Sequence, residues 1–128
     1  MELDQYFEHA SGRGMLATAD SSGKVDIALY GRPHFIAKDI VAFIMSDKLS
    51  HANLKSNPSA AYLFMENSDA FAGKRIFLSK IKEEENSQLI DVLREKHHYV
   101  PKHENNTKSK YLVYFKIEKV LPLVGSGA

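Results

Sequence analysis

The sequence predicts a mainly β protein: an antiparallel barrel of six or seven strands, closed or partly closed, with few helices. Three observations carry this. A turn at Asp20-Ser21-Ser22-Gly23 joins two strand-like runs and reads as a hairpin. Short apolar or alternating runs then recur along the chain, most of them bounded by Gly, Pro, Asn or Asp. Only two helical patterns interrupt the strands after the opening residues.

Leu3, Tyr6, Phe7 and Ala10 recur at helical spacing and predict a short opening helix over 3–10. Ser11-Gly12-Arg13-Gly14 reads as its break. Residues 15–19 form the first strand and 24–30 the second, with Val25, Ile27 and Leu29 on one face and Asp26, Ala28 and Tyr30 on the other. After Gly31-Arg32-Pro33, residues 34–37 give a short strand and Lys38-Asp39 a tight turn. Ile40 to Met45 is a continuous apolar run, expected to be buried on both faces.

Ser46-Asp47 is read as an N-cap for a helix over 48–56, with Leu49, Ala52 and Asn53 facing inward. Asn57-Pro58 ends it, because the residue before proline is pushed out of the helical region. Residues 60–65 form the next strand, 66–74 a loop and 75–82 a further strand. Residues 83–98 give the clearest helical pattern. Glu83, Glu84 and Glu85 stand at its start, Arg94, Lys96, His97 and His98 at its end, and Leu89, Ile90 and Leu93 form its apolar stripe. Pro101 stops it, a polar loop follows over 103–109, and 111–118 alternates as the last strand. The end of the chain, Val120 to Val124, is apolar enough either to form an interface or to pack on its own barrel.

The composition agrees with this fold. The chain has 128 residues, 17 Lys plus Arg against 16 Asp plus Glu, and 44% hydrophobic residues. That balance fits a single globular domain over 1–128, which buries roughly two-thirds of its unfolded surface. A net charge of +1 argues against a dedicated nucleic-acid binder. No apolar run is long enough for a membrane-spanning helix, and MELDQYFEHASGRG is unlike a signal peptide. The absence of cysteine excludes thiol catalysis and thiolate metal sites, and suits a reducing cytoplasm.

The chemistry-bearing residues are sparse. No nucleophile elbow and no phosphate-binding glycine loop occur, and Gly12-Arg13-Gly14 precedes a strand rather than joining a strand to a helix. His97 and His98 are adjacent, so on a helix they diverge by about 100° and do not share one metal ion. They read as a charged helix end, no metal site is assigned, and His51 reads as a surface histidine. The segment from Ser46 to Asn53 has the most promise. It leads a buried strand into a helix N-terminus, where backbone N–H groups attract anions and Lys48 and Ser50 add charge and a hydroxyl. The same residues are equally those of an ordinary capped helix with an exposed lysine.

The run IVAFIMSDKLSHANLKSNPSAAYLF resembles the pyridoxamine 5′-phosphate oxidase-like family of FMN-binding split barrels. GMLATADSSGKVDIALYGRPHF is similar to that family's opening hairpin, GKRIFLSKIKEEENSQLIDVLRE to its later strand and helix, and KYLVYFKIEKVLPLVG to its closing strand. Nearly the whole chain is covered, in order. The resemblance implies a small split barrel, a homodimer, and FMN at the dimer interface. It places the phosphate near Lys48, Ser50 and Asn53, the flavin ring past Ala28, Leu29 and Tyr30 and along Met45 and Ser46, and a polar flavin contact at Arg75. It implies a flavin-dependent oxidoreductase or electron carrier acting on a small-molecule substrate or electron donor, with no catalytic side chain required. The alternatives are the same fold holding a deazaflavin, the same fold holding haem through His51, His97, His98 or His103, and a cofactor-free sensor or interaction module.

Overall fold

The computed structural model describes residues 2–96 and 109–125. Seven antiparallel strands form one sheet: β1 Gly12–Ala19, β2 Val25–Tyr30, β3 His34–Ala37, β4 Ile40–Ser46, β5 Ser59–Glu66, β6 Gly73–Glu85 and β7 Lys110–Pro122. Their spatial order is β2-β1-β5-β6-β7-β4-β3. Among the described residues three helices accompany them: α1 Leu3–His9, α2 Leu49–Ser56 and α3 Gln88–Lys96. The mainly β barrel architecture read from the sequence is the one observed.

The sheet curls around a core of alternating strand residues. Leu16, Phe43, Met45, Tyr62, Phe64, Ile76, Val113 and Phe115 are each at most 2% exposed within it. Phe7 of α1 closes one end, in edge-to-face contact with Phe64 at 5.1 Å between ring centroids. A smaller cluster lies on the outer side of β4 and β7, where Ile90 and Leu93 of α3 cover Ala42, Leu112 and Tyr114. β7 therefore buries both faces in its first half, which is why its alternation carries large apolar residues at every position from Tyr111 to Phe115.

β2 and β3 are the two ends of the sheet and do not pair with each other. The curl nevertheless brings β2 opposite β4, and Tyr30 meets Phe43 edge-to-face at 5.9 Å. This unpaired seam makes the barrel a split one.

Several sequence expectations are corrected. Gly12 to Gly14 continues β1 instead of breaking it. Both glycines are needed for close approach: a Cβ on Gly12 would lie 2.2 Å from the Met65 carbonyl oxygen. Ser46 and Asp47 do not cap α2. Ser46 ends β4, Asp47 bonds His51, and Lys48 in extended conformation precedes the helix. Leu49 and Ala52 face solvent, while Ser50, His51, Asn53 and Leu54 face inward. The weak amphipathicity of this stretch hides its buried face, because that face is largely polar.

The helix expected from residue 83 begins at Gln88. Glu83, Glu84 and Glu85 extend β6, opposite Val113, Leu112 and Tyr111 of β7. Asn86, at φ +52°, ends the strand, and the Ser87 hydroxyl accepts a hydrogen bond from the Leu89 N–H at 3.2 Å. Val120 to Pro122 pairs with Lys74 to Ile76, so that part of the apolar end belongs to its own sheet. The expectations for His97, His98, Pro101 and the loop through His103 lie outside the described residues.

Candidate functional site

A cavity of about 780 Å3 opens along the seam. Its size falls in the usual range for a small-molecule site. One wall is β2 and its exit, from Asp26 through Ala28, Leu29 and Tyr30 to Gly31 and Arg32. The facing wall is His34 of β3 with Phe43, Ile44 and Ser46 of β4. The first turn of α2 closes one side with Lys48, Leu49 and Ser50, and Arg94 of α3 contributes from another element.

The strand periodicity places these groups. Asp26, Ala28 and Tyr30 are half-buried on the inner side of β2, while Val25, Ile27 and Leu29 alternate outward. The Ser50 hydroxyl reaches Asp26 Oδ2 at 3.5 Å, the outer limit for such a bond. Burial pushes the Tyr30 phenol up, a hydrogen bond from Ser50 pulls it back, and the Asp26 charge raises it further. Lys110 Nζ donates to the Ser46 hydroxyl at 3.0 Å. Arg32 Nη1 donates to the carbonyls of Phe7 and Ala10 at 2.8 and 3.0 Å, tying the end of α1 to the cavity rim. Among the described residues no side chain caps α2, so the N–H groups of its first turn have no side-chain partner, and Lys48, Leu49 and Ser50 at this end line the cavity.

Of the site residues read from the sequence, Ala28, Leu29, Tyr30, Ser46, Lys48 and Ser50 all line this cavity. Three do not. Met45 is 1% exposed and belongs to the barrel interior. The buried Asn53 side chain donates to the Thr18 hydroxyl at 3.0 Å, fastening α2 to β1. Arg75 Nε donates to the Pro122 carbonyl at 2.8 Å, in the β6–β7 pair. Asp26, Arg32, His34, Phe43, Ile44 and Arg94 line the cavity unannounced by any motif. Asp26 alone carried a signal, since it shares the inward face of β2 with Ala28 and Tyr30.

His51 is not a surface residue. It is 0% exposed, with Nδ1 2.9 Å from Asp47 Oδ1 and Nε2 2.9 Å from Glu83 Oε2. With both ring nitrogens engaged, it offers none to a haem iron. Among the described residues no group of three or more His, Asp or Glu could hold a metal ion, and no helix is long and apolar enough to cross a membrane.

No family model matches the chain, and no curated protein matches it in sequence. Its fold does match solved structures. An FMN-binding protein from Syntrophomonas wolfei superposes with a TM-score of 0.75 at 20% identity, covering 97% of this chain and 85% of the other. An F420 reductase gives 0.70 at 10% identity over 91% and 94% of the two chains. A FAD-binding protein from Mesorhizobium loti gives 0.59 at 15% identity over 93% and 89%. The chain thus has the fold of the FMN-binding split barrels.

Proposed function

We propose that this protein binds FMN in the seam cavity and acts as a flavin-dependent oxidoreductase or electron carrier on a small molecule. The observation that carries the reading is the meeting of two features in one cavity. The uncapped first turn of α2, with Lys48 and Ser50, suits a phosphate, and the inner face of β2 at Ala28 and Tyr30 suits a flat ring. The described bindings of the structural neighbours, FMN for one and FAD for another, support a flavin as the ligand class.

In this reading Lys48 and Ser50 hold the phosphate, while Ala28, Leu29, Tyr30 and Ser46 flank the ring. Arg32 and Arg94 add positive charge to the same cavity. A bound flavin supplies the redox chemistry; the chain supplies position, charge and shelter from water. No acid or base is assigned, because electron or hydride transfer at a flavin requires none from the protein.

The active unit is a homodimer. Val25, Ile27 and Leu29 are 83%, 65% and 79% exposed on the outer face of β2, beside the cavity. A contiguous apolar stripe of this kind marks an interface. The absence of cysteine supports placing the protein in the reducing cytoplasm.

The deciding experiment is the visible absorption spectrum of freshly purified protein, before and after adding FMN and desalting. Flavin absorption retained in stoichiometric amount supports the reading. A protein that stays colourless overturns it, and a deazaflavin and haem are then tried on the same sample.

A further inference from the structure

α2 turns one side of its first turn to the cavity and rests the other on a buried charge network. Lys48 and Ser50 line the cavity, whereas His51 is fully buried behind it. Each ring nitrogen of His51 faces one carboxylate oxygen, Nδ1 that of Asp47 and Nε2 that of Glu83, and the donor at each follows the tautomer of the ring. Lys80 Nζ donates to the other oxygen of Glu83 at 2.7 Å. Burial pushes Glu83 up, but Lys80 and His51 outweigh it and hold the carboxyl below its usual range. Tyr111 of β7 stacks on the imidazole, with centroids 3.9 Å apart and planes 21° from parallel.

The placement of this network matters as much as its burial. Asp47 and His51 flank residues 48–50, so their bond closes the chain around the three residues of α2's start that line the cavity. Glu83 and Tyr111 then fasten that closed turn to β6 and β7. Besides these ties the turn has the buried Ser50, whose hydroxyl reaches Asp26 of β2 at 3.5 Å, the outer limit for such a bond. The helix has only eight residues, no side chain among those described caps it, and Leu49 is 57% exposed. A helix this short has marginal stability of its own. Asn53 and Leu54 anchor its second turn rather than its first.

We propose that His51 is the positioning residue of the cavity's anion-binding end: its two carboxylate bonds fix Lys48 and Ser50 where a phosphate monoester would be held. This rests on the phosphate end assigned above. The network itself touches no ligand and adds no charge to the cavity. It acts by ordering the turn that does.

The test uses the full chain with His51→Phe and Glu83→Gln. The first keeps a ring on Tyr111 but makes no hydrogen bond; the second keeps a hydrogen-bonding group facing His51 and removes the carboxylate charge. Amide hydrogen exchange is measured in cofactor-free protein, and dissociation constants for FMN and inorganic phosphate are measured well below each variant's Tm. The expected result is exchange about tenfold faster than in the wild type at Ala52, whose N–H bonds the Lys48 carbonyl at 3.0 Å and closes the first turn, with a smaller change across 54–56. Both dissociation constants should rise by a similar factor, as befits loss of a charge-assisted hydrogen bond. A lowered Tm with first-turn exchange and both constants within about twofold of wild type overturns the proposal, because the network would then serve stability alone. If His51→Phe does not fold, Asp47→Ala at the exposed end of the network removes the bond that closes the turn and gives the comparison. If the wild type binds neither FMN nor phosphate, the flavin reading falls, and the exchange contrast alone decides whether His51 orders the turn.

Discussion

The Tyr62 hydroxyl fills the space where Gly14 lacks a side chain. A Cβ on Gly14 would lie 1.9 Å from Tyr62 Oη and 2.6 Å from the Tyr30 carbonyl oxygen. Tyr62 uses that room to donate to the Gly31 carbonyl at 2.9 Å, at the point where β2 leaves the cavity. A glycine in β1 thus sets how closely β2 and its exit approach the barrel interior.

Gly14→Ala should therefore destabilise the protein by about 3 kcal/mol, the upper range for overpacking a core. Adding Tyr62→Phe removes the nearest atom but leaves the ring carbon Cζ at 2.5 Å and the Tyr30 carbonyl oxygen at 2.6 Å, so it should restore only a small part of the loss. Denaturant melts of the two single variants and the double variant measure this. A Gly14→Ala protein as stable as wild type would show that β2 moves aside freely.

Lys48→Ala and Ser50→Ala should each weaken FMN binding, by about tenfold for the lysine and less for the neutral hydroxyl. The effect of Lys48→Ala should shrink at high salt, because an exposed lysine is screened. Fluorescence quenching titrations at two ionic strengths read both effects. Unchanged affinity in both variants removes the phosphate from the start of α2.

Ile27→Glu places a charge in the middle of the exposed stripe on β2. It should convert a dimer into monomers without lowering Tm strongly, since the side chain is 65% exposed in one chain. Light scattering after size exclusion distinguishes the two states. A wild type that is already monomeric at micromolar concentration removes the dimer from the functional reading.

Stability should fall at both ends of the pH range. Glu84, hydrogen-bonded by Tyr114, and Glu83, held by Lys80 and His51 against the push of burial, lie below their ordinary value of 4.5. Groups lowered by folding stabilise the protein above that value, and the contribution is lost as pH drops through their folded values. Glu83→Gln should flatten this acid limb. At the other end, burial raises Tyr6, Tyr30, Tyr62, Tyr111 and Tyr114, the last to about 12 with help from Glu84. Groups raised by folding stabilise fully below their ordinary value of 10, and that stability is lost as pH rises further. An ultraviolet titration in which every phenol ionises near its ordinary value in the folded protein would refute the base limb.

Local pattern was enough for much of the fold. The alternation of Val25 to Tyr30, the Asp20–Gly23 turn with Gly23 at φ +90°, the apolar run from Ile40 and the Asn57-Pro58 stop all appear where the sequence places them. Lys48 and Ser50 were legible locally, because both stand where a buried strand leads into a helix start, whereas Ala28, Leu29, Tyr30 and Ser46 came with the family resemblance.

What only the tertiary structure decided depends on residues far apart in the chain. Glu83, Glu84 and Glu85 are good helix-start residues by local propensity, yet β6 keeps them because β7 pairs with them and the Tyr114 hydroxyl donates to Glu84 at 2.8 Å. His51 has no local mark of burial; its partner Glu83 is 32 residues away. Arg32, His34 and Arg94 share a cavity only because the sheet curls until its two unpaired ends face each other across the seam. Short-range periodicity sets which way a side chain points, but long-range pairing and the burial of charge decide what it meets there.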